Sequence, residues 1–140
     1  MATDLLDAIF PHDPSVEVLE TGYSGLLLVI TSKSPLELAE IVSRRYPIRG
    51  LYALRPLLKW TLTDDPLSAL RRLAEFGDLP RCRKLKVRVR GVKVSKGEIE
   101  DLFREYTKGG KSCTLCIEIL GKLVGASLLV RPEWHGLTQS

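Results

Sequence analysis

At 140 residues the chain can hold one ordinary core or two small lobes, and 44% apolar residues fit a folded protein rather than a disordered tail. Its longest apolar run, Leu26 to Ile30, is far too short to span a bilayer, and the acidic start Met1 to Asp7 lacks a signal-peptide pattern, so a cytoplasmic protein with no membrane partner is expected. The net charge of +4 is uneven: the segment from Arg81 to Lys96 carries eight of the 21 Lys and Arg and none of the 17 Asp and Glu, a local +8 against −4 elsewhere.

The elements follow from local signals. A short helix over Asp4 to Phe10 ends before Pro11. Strands at Val16 to Glu20 and Leu26 to Thr31 flank a turn built on Gly22 and Gly25. Ser34-Pro35-Leu36-Glu37 places a capping serine, a proline at the first helical position and a glutamate near the cap, and the helix runs to about Tyr46 before Pro47. Leu51 to Leu62 is extended but broken by Pro56, which suits two short strands or a sheet edge. A seam between two lobes is expected at Thr61 to Asp65. Asp65-Pro66 opens the next helix, with Leu67, Leu70, Leu73 and Ala74 on one stripe and Gly77 at its end. Lys84 to Arg90 reads as a strand. Ser95 to Glu98 forms a capping box with Val94 and Ile99 as a hydrophobic staple, and the helix reaches Tyr106 before Gly109-Gly110. Thr114 to Leu120 and Val124 to Val130 form a hairpin across Gly121, and a loose tail follows. Mixed elements with antiparallel hairpins give an α+β class.

The basic segment carries most of the functional information. Successive strand residues point to opposite faces, so Leu85, Val87 and Val89 line one side while Lys84, Lys86, Arg88 and Arg90 project from the other. Arg81, Arg83, Lys93 and Lys96 extend the patch past the strand ends, and Lys108 and Lys111 flank a second basic loop at Gly109-Gly110. Lysines and arginines neutralise phosphates and release counterions, giving affinity without sequence readout. The bland readings are a solubilising edge strand and a generally charge-rich surface. Arg55 and Lys59, near Pro56, are candidates to border the same groove. Tyr23, Tyr52 and Trp60 offer stacking faces, although packing is the commoner role for each.

Other chemistry is sparse. Three cysteines do not make a disulfide framework. Cys113-Thr114-Leu115-Cys116 has C-x-x-C spacing, yet no second pair or nearby histidine completes a metal site, so small buried thiols are the preferred reading. No nucleophile–base motif or cofactor-binding glycine fingerprint is present, so no enzyme, cofactor, metal or small-molecule substrate is expected. Glu118 fits a partner for a nearby cation better than a general base.

The second half resembles the THUMP domain, an RNA-binding α/β module of tRNA-modifying systems. Lys84 to Arg90 is similar to its basic strand, and Ser95 to Tyr106 to the helix after it. The closing hairpin, Leu115-Cys116-Ile117-Glu118-Ile119-Leu120-Gly121 through Gly125-Ala126-Ser127-Leu128-Leu129, looks like the ending of the branch that contains adaptors for tRNA cytidine N4-acetylation. Upstream, Glu20-Thr21-Gly22-Tyr23 through Val29, the Ser34 to Tyr46 helix, and Leu54-Arg55-Pro56-Leu57 resemble that branch's N-terminal portion. The resemblance implies a ferredoxin-like N-terminal lobe over residues 1–62, short for a complete domain, packed on a THUMP-type α/β lobe over 63–134, with a tail at 135–140. It further implies a non-catalytic adaptor that binds the acceptor end of tRNA and presents it to a modifying enzyme, a tRNA acetyltransferase. The alternatives are a protein-interaction or regulatory domain without RNA binding, and an enzyme built on Cys113 and Cys116.

Overall fold

The structure, a computed structural model, describes residues 1–132. In chain order it contains α1 (Ala2–Ile9), β1 (Glu17–Glu20), β2 (Leu27–Ile30), α2 (Pro35–Arg45), β3 (Leu57–Leu62), α3 (Pro66–Phe76), β4 (Cys82–Arg90), α4 (Lys96–Phe103), a 3-10 turn at Arg104–Thr107, β5 (Lys111–Leu120) and β6 (Leu123–Leu128). This is the α+β class expected from the sequence. Among the described residues no helix is long and apolar enough to cross a membrane. The chain forms two compact units, Met1–Leu54 together with the chain from Val130, and Arg55–Leu129.

In the first unit β1 and β2 pair antiparallel, with Glu17 opposite Ile30 and Glu20 opposite Leu27. Leu5, Ile9, Val16, Leu38, Val42, Ile48 and Leu51 form the core. Ser34 caps α2 by accepting from the Glu37 amide at 3.4 Å, with Pro35 at the first position, as the sequence signal requires. Among the described residues the sheet has two strands, fewer than a full ferredoxin-like lobe. Leu54 and Val130 close the unit with reciprocal backbone hydrogen bonds of 2.7 and 2.8 Å.

Asp13 fastens this unit. Its buried carboxylate accepts from the Ser15 amide and hydroxyl, the Thr31 hydroxyl, and the Ser32 amide and hydroxyl, at 2.6–3.1 Å. These donors, led by the Ser15 hydroxyl, hold the carboxyl well below the usual carboxylate range, and burial only partly opposes them. The stabilisation is therefore complete above the ordinary aspartate pKa of about 3.9 and is lost as pH falls towards the lower folded value. Asp13→Asn is expected to lower the thermal midpoint by several degrees, roughly, at neutral pH. The gap from wild type should close progressively below about pH 4, as followed by circular dichroism melts.

The second unit is a four-stranded sheet in the order β3-β6-β5-β4. β4 and β5 run parallel, and the other pairs are antiparallel. Parallel neighbours need a long crossover, which α4 and the 3-10 turn supply. Both α3 and α4 cover one face: Leu70, Ile99 and Phe103 meet Val87, Leu115, Ile117, Ile119, Val124 and Ala126 in one core. Fully burying each large side chain stabilises the fold by about 1.5–3 kcal/mol. Asp65 caps α3 through the Ser68 amide at 3.2 Å, whereas Ser95 makes no side-chain cap bond at α4, so the expected capping box is absent there.

Two boundaries move. The units divide between Leu54 and Arg55, ahead of the seam expected at Thr61 to Asp65, because β3 is laddered to β6 and so belongs to the second sheet. The helix expected to reach Tyr106 is α-helical only to Phe103 and tightens into the 3-10 turn. The tail at 135–140 lies outside the described residues.

The cysteines need a correction. Cys82 and Cys113 form a disulfide with Cα atoms 4.8 Å apart, and only Cys116 is a free, buried thiol. The spacing of Cys113 and Cys116 suggested a pair, but residues three apart on a strand face opposite ways. The partner of Cys113 comes instead from the neighbouring strand, where the β4–β5 register shifts between Cys82 and Lys84. A bridge across a sequence separation of 31 stabilises by roughly 2–4 kcal/mol. Cys82→Ser or reduction should lower the denaturant midpoint without changing the far-ultraviolet spectrum of the folded state.

Candidate nucleic-acid interface

β4 is an edge strand with two unlike faces. Val87 is in the core, with Leu85 and Val89 packed against it. Lys84, Lys86, Arg88 and Arg90 alternate with them and rise from the sheet face that the helices leave uncovered; Lys84 and Arg88 are exposed, Lys86 and Arg90 half-buried. The nine-residue strand spans about 27 Å at its usual rise, so the four cations form a line rather than a cluster.

The carboxylate nearest this line is already taken. Across the parallel ladder Lys84 lies opposite Thr114, Lys86 opposite Cys116, Arg88 opposite Glu118 and Arg90 opposite Leu120. The Glu118 carboxylate pairs with the Arg55 guanidinium at 2.8 Å, the two side chains being 16% and 21% exposed for Arg55 and Glu118 respectively. Burial pulls the Arg55 pKa down, Glu118 opposes this, and neighbouring Arg88 and Arg90 push it further down. A guanidinium stays protonated at neutral pH in such surroundings. The pair thus cancels internally, and no ion pair between described residues engages Lys84, Lys86, Arg88 or Arg90. Below them Cys116 is buried and its thiol is pushed up, first by desolvation.

The other expected site residues fall into two groups. Lys93 and Lys96 are exposed beyond the C-terminal end of β4, in the link to α4 and in its first turn. Arg81, Arg83, Lys108 and Lys111 gather at the opposite end. There Arg81 Nη1 donates to the carbonyls of Glu105 at 2.8 Å and Lys108 at 3.4 Å, and Arg83 Nε donates to Gly110 at 3.3 Å. These two arginines tie the loop after the 3-10 turn to the start of β4. Lys108 pairs with Glu105 at 3.0 Å on an exposed surface, where such a contact contributes little. Gly110 is required by packing, since a Cβ there would lie 2.5 Å from the Cys82 carbonyl carbon.

Arg55 joins the site from the extended segment just before β3, in the same unit as β4. Lys59 is exposed on the outer β3 edge. Trp60, for which packing was the commoner expectation, is 61% exposed. Glu118 has the cation partner that its sequence position suggested. Among the described residues no group of three His, Cys, Asp or Glu side chains could hold a metal ion.

No family model matches the chain, and no curated protein matches it. Solved structures do match, two of them as follows. One is PH1313 from Pyrococcus horikoshii OT3, with a TM-score of 0.61 and 15% identity, covering 93% of this chain and 47% of that one. The other is TrmN from Thermus thermophilus, with a TM-score of 0.63 and 17% identity, covering 94% of this chain and 43% of that one. The chain thus spans less than half the length of either protein it resembles, and at these identities the likeness is one of fold, THUMP-like in its arrangement of strands and helices.

Proposed function

We propose that the chain is a non-catalytic RNA-binding adaptor that takes tRNA by its acceptor end and presents it to a separate modifying enzyme, in cytidine N4-acetylation. The observation that carries the reading is the β4 face: a line of cations held in register by a buried inner face, with the adjacent carboxylate neutralised by Arg55. Such a line suits a phosphate backbone recognised by shape and charge. The sequence motifs shared with the acetylation-adaptor branch supply the finer assignment, and the THUMP-like fold supports the coarser one. Arg81 and Arg83 serve the site by fixing the loop that carries Lys108 and leads to Lys111 at the start of β5.

A gel-shift titration with total tRNA tests this. Binding at low salt should weaken steeply as salt rises, with a log–log slope of roughly −3 to −6 for about four to seven phosphate contacts. Absence of binding at low salt, or an affinity indifferent to salt, overturns the reading. Adding the purified acetyltransferase should give acetylated cytidine only when the chain is present.

A further inference from the structure

We infer that Trp60 is a base-stacking platform for an unpaired RNA segment that crosses the sheet from the β4 cations. This rests on the RNA-binding reading above and adds a second, chemically different contact. The register places Trp60 opposite Gly125 on β6, Gly125 opposite Glu118 on β5, and Glu118 opposite Arg88 on β4. Paired residues in a sheet share a face, so the indole and the Arg88 guanidinium rise from one surface, three strand spacings or about 14 Å apart.

Between them Gly125 is buried against Leu57 and Trp60: a Cβ there would sit 2.9 Å from Leu57 Cδ2 and 3.1 Å from Trp60 Cβ, so a larger residue would displace the indole. Glu118 is held by Arg55, whose guanidinium lies within electrostatic reach of Arg88 and Arg90. The rung therefore reads aromatic, glycine, neutralised ion pair, cation. The neighbouring rung repeats the gradient, from Leu62, 68% exposed, through Leu123 and Leu120 to Arg90. The rung below is closed, since Cys116 and Ser127 have no accessible surface. Bases offer a flat apolar face and phosphates a charge, so a nucleotide chain with its base on Trp60 and its phosphates on Arg88 and Arg90 matches both ends. A four-stranded sheet of this width accommodates roughly two or three nucleotides in other single-strand binders. On the helix side Trp60 also borders an apolar groove of about 200 Å³ with Leu73, Phe76 and Val124. A protein segment in that groove is the competing use of the same side chain.

The test uses the full chain carrying Trp134→Phe, which leaves Trp60 as the only tryptophan. A short oligocytidylate should quench its fluorescence saturably, and Trp60→Ala should weaken oligocytidylate binding on the order of tenfold to a hundredfold, the size of one base–aromatic stack. Trp60→Phe should restore most of the loss. An RNA duplex of equal length should bind Trp60→Ala as it binds wild type, while Arg88→Glu weakens both probes. Absence of quenching, an oligocytidylate affinity within twofold of wild type for Trp60→Ala, or equal losses on duplex and single strand would overturn the inference and leave Trp60 to the protein-facing groove. Retained tRNA binding in those cases spares the wider reading, whereas failure of both probes and of tRNA at low salt removes the reading itself.

Discussion

Reversing three β4 cations together, as Lys86→Glu, Arg88→Glu and Arg90→Glu, is expected to weaken tRNA binding on the order of a hundredfold or more at low salt. The change replaces attraction by repulsion along a line that no carboxylate among the described residues neutralises, and it leaves Glu118 paired with Arg55. The informative control is an equal change of charge elsewhere: Lys33→Glu, Arg71→Glu and Lys122→Glu. Long-range attraction alone would make the two triple variants alike. Direct contact makes the β4 variant far worse, and its salt dependence should flatten as phosphate contacts are lost. Equal affinities for the two variants would assign the effect to net charge rather than to this face. Because Lys86 and Arg90 are half-buried, Lys84→Glu with Arg88→Glu provides a fully solvent-facing pair whose fold should be undisturbed.

Phe103→Ala should produce the largest loss of stability, about 3–5 kcal/mol. The ring has no accessible surface and is the largest fully buried side chain in the second unit. It lies in the core against which Leu85, Val87 and Val89 hold β4 flat, with the Tyr106 ring 5.9 Å from its own. Truncation leaves a cavity that the surrounding helix and sheet can close only in part. A cost of this size is a large share of the roughly 5–15 kcal/mol that stabilises an ordinary domain. Denaturant titration should show an early transition, and tRNA binding should fall with the folded fraction. Phe103→Leu keeps most of the volume and should cost under about 1.5 kcal/mol. If Phe103→Ala unfolds no earlier than wild type, the core does not support β4 in the way described.

The elements were legible because their signals are local. Ser34-Pro35 and Asp65-Pro66 start α2 and α3 as the cap and proline rules require. The alternation from Lys84 to Arg90 fixed both faces of β4, since a strand has only two. What depends on pairing was not legible. Cys82 meets Cys113 only because β4 and β5 run parallel and slip past each other at that end, a relation between segments joined by a whole helix. The same non-local pairing moves β3 into the second unit, although Pro56 marks the break just before it. Trp60 could not be assigned to either face, because the register shift between Leu57 and Lys59 decides where its side chain points.

The candidate site shows the same split. Its charges were countable in the sequence, but their division of labour was not. Arg81 and Arg83 sit in the same basic run as Arg88, yet they donate to main-chain carbonyls of the following loop. The neutralisation of Glu118 on β5 by Arg55 from the segment before β3 joins residues far apart in the chain, and it determines whether the β4 cations keep their field.

Lysine footprinting of the tRNA complex tests the account most directly, because it reads individual side chains on one molecule. The chain is acetylated with a lysine reagent with and without tRNA, and each site is quantified by mass spectrometry. Strong protection of Lys84, Lys86, Lys93 and Lys96, with Lys33 and Lys122 unchanged, is the expected result. Uniform protection of all of these lysines, or protection confined to the first unit, would contradict it.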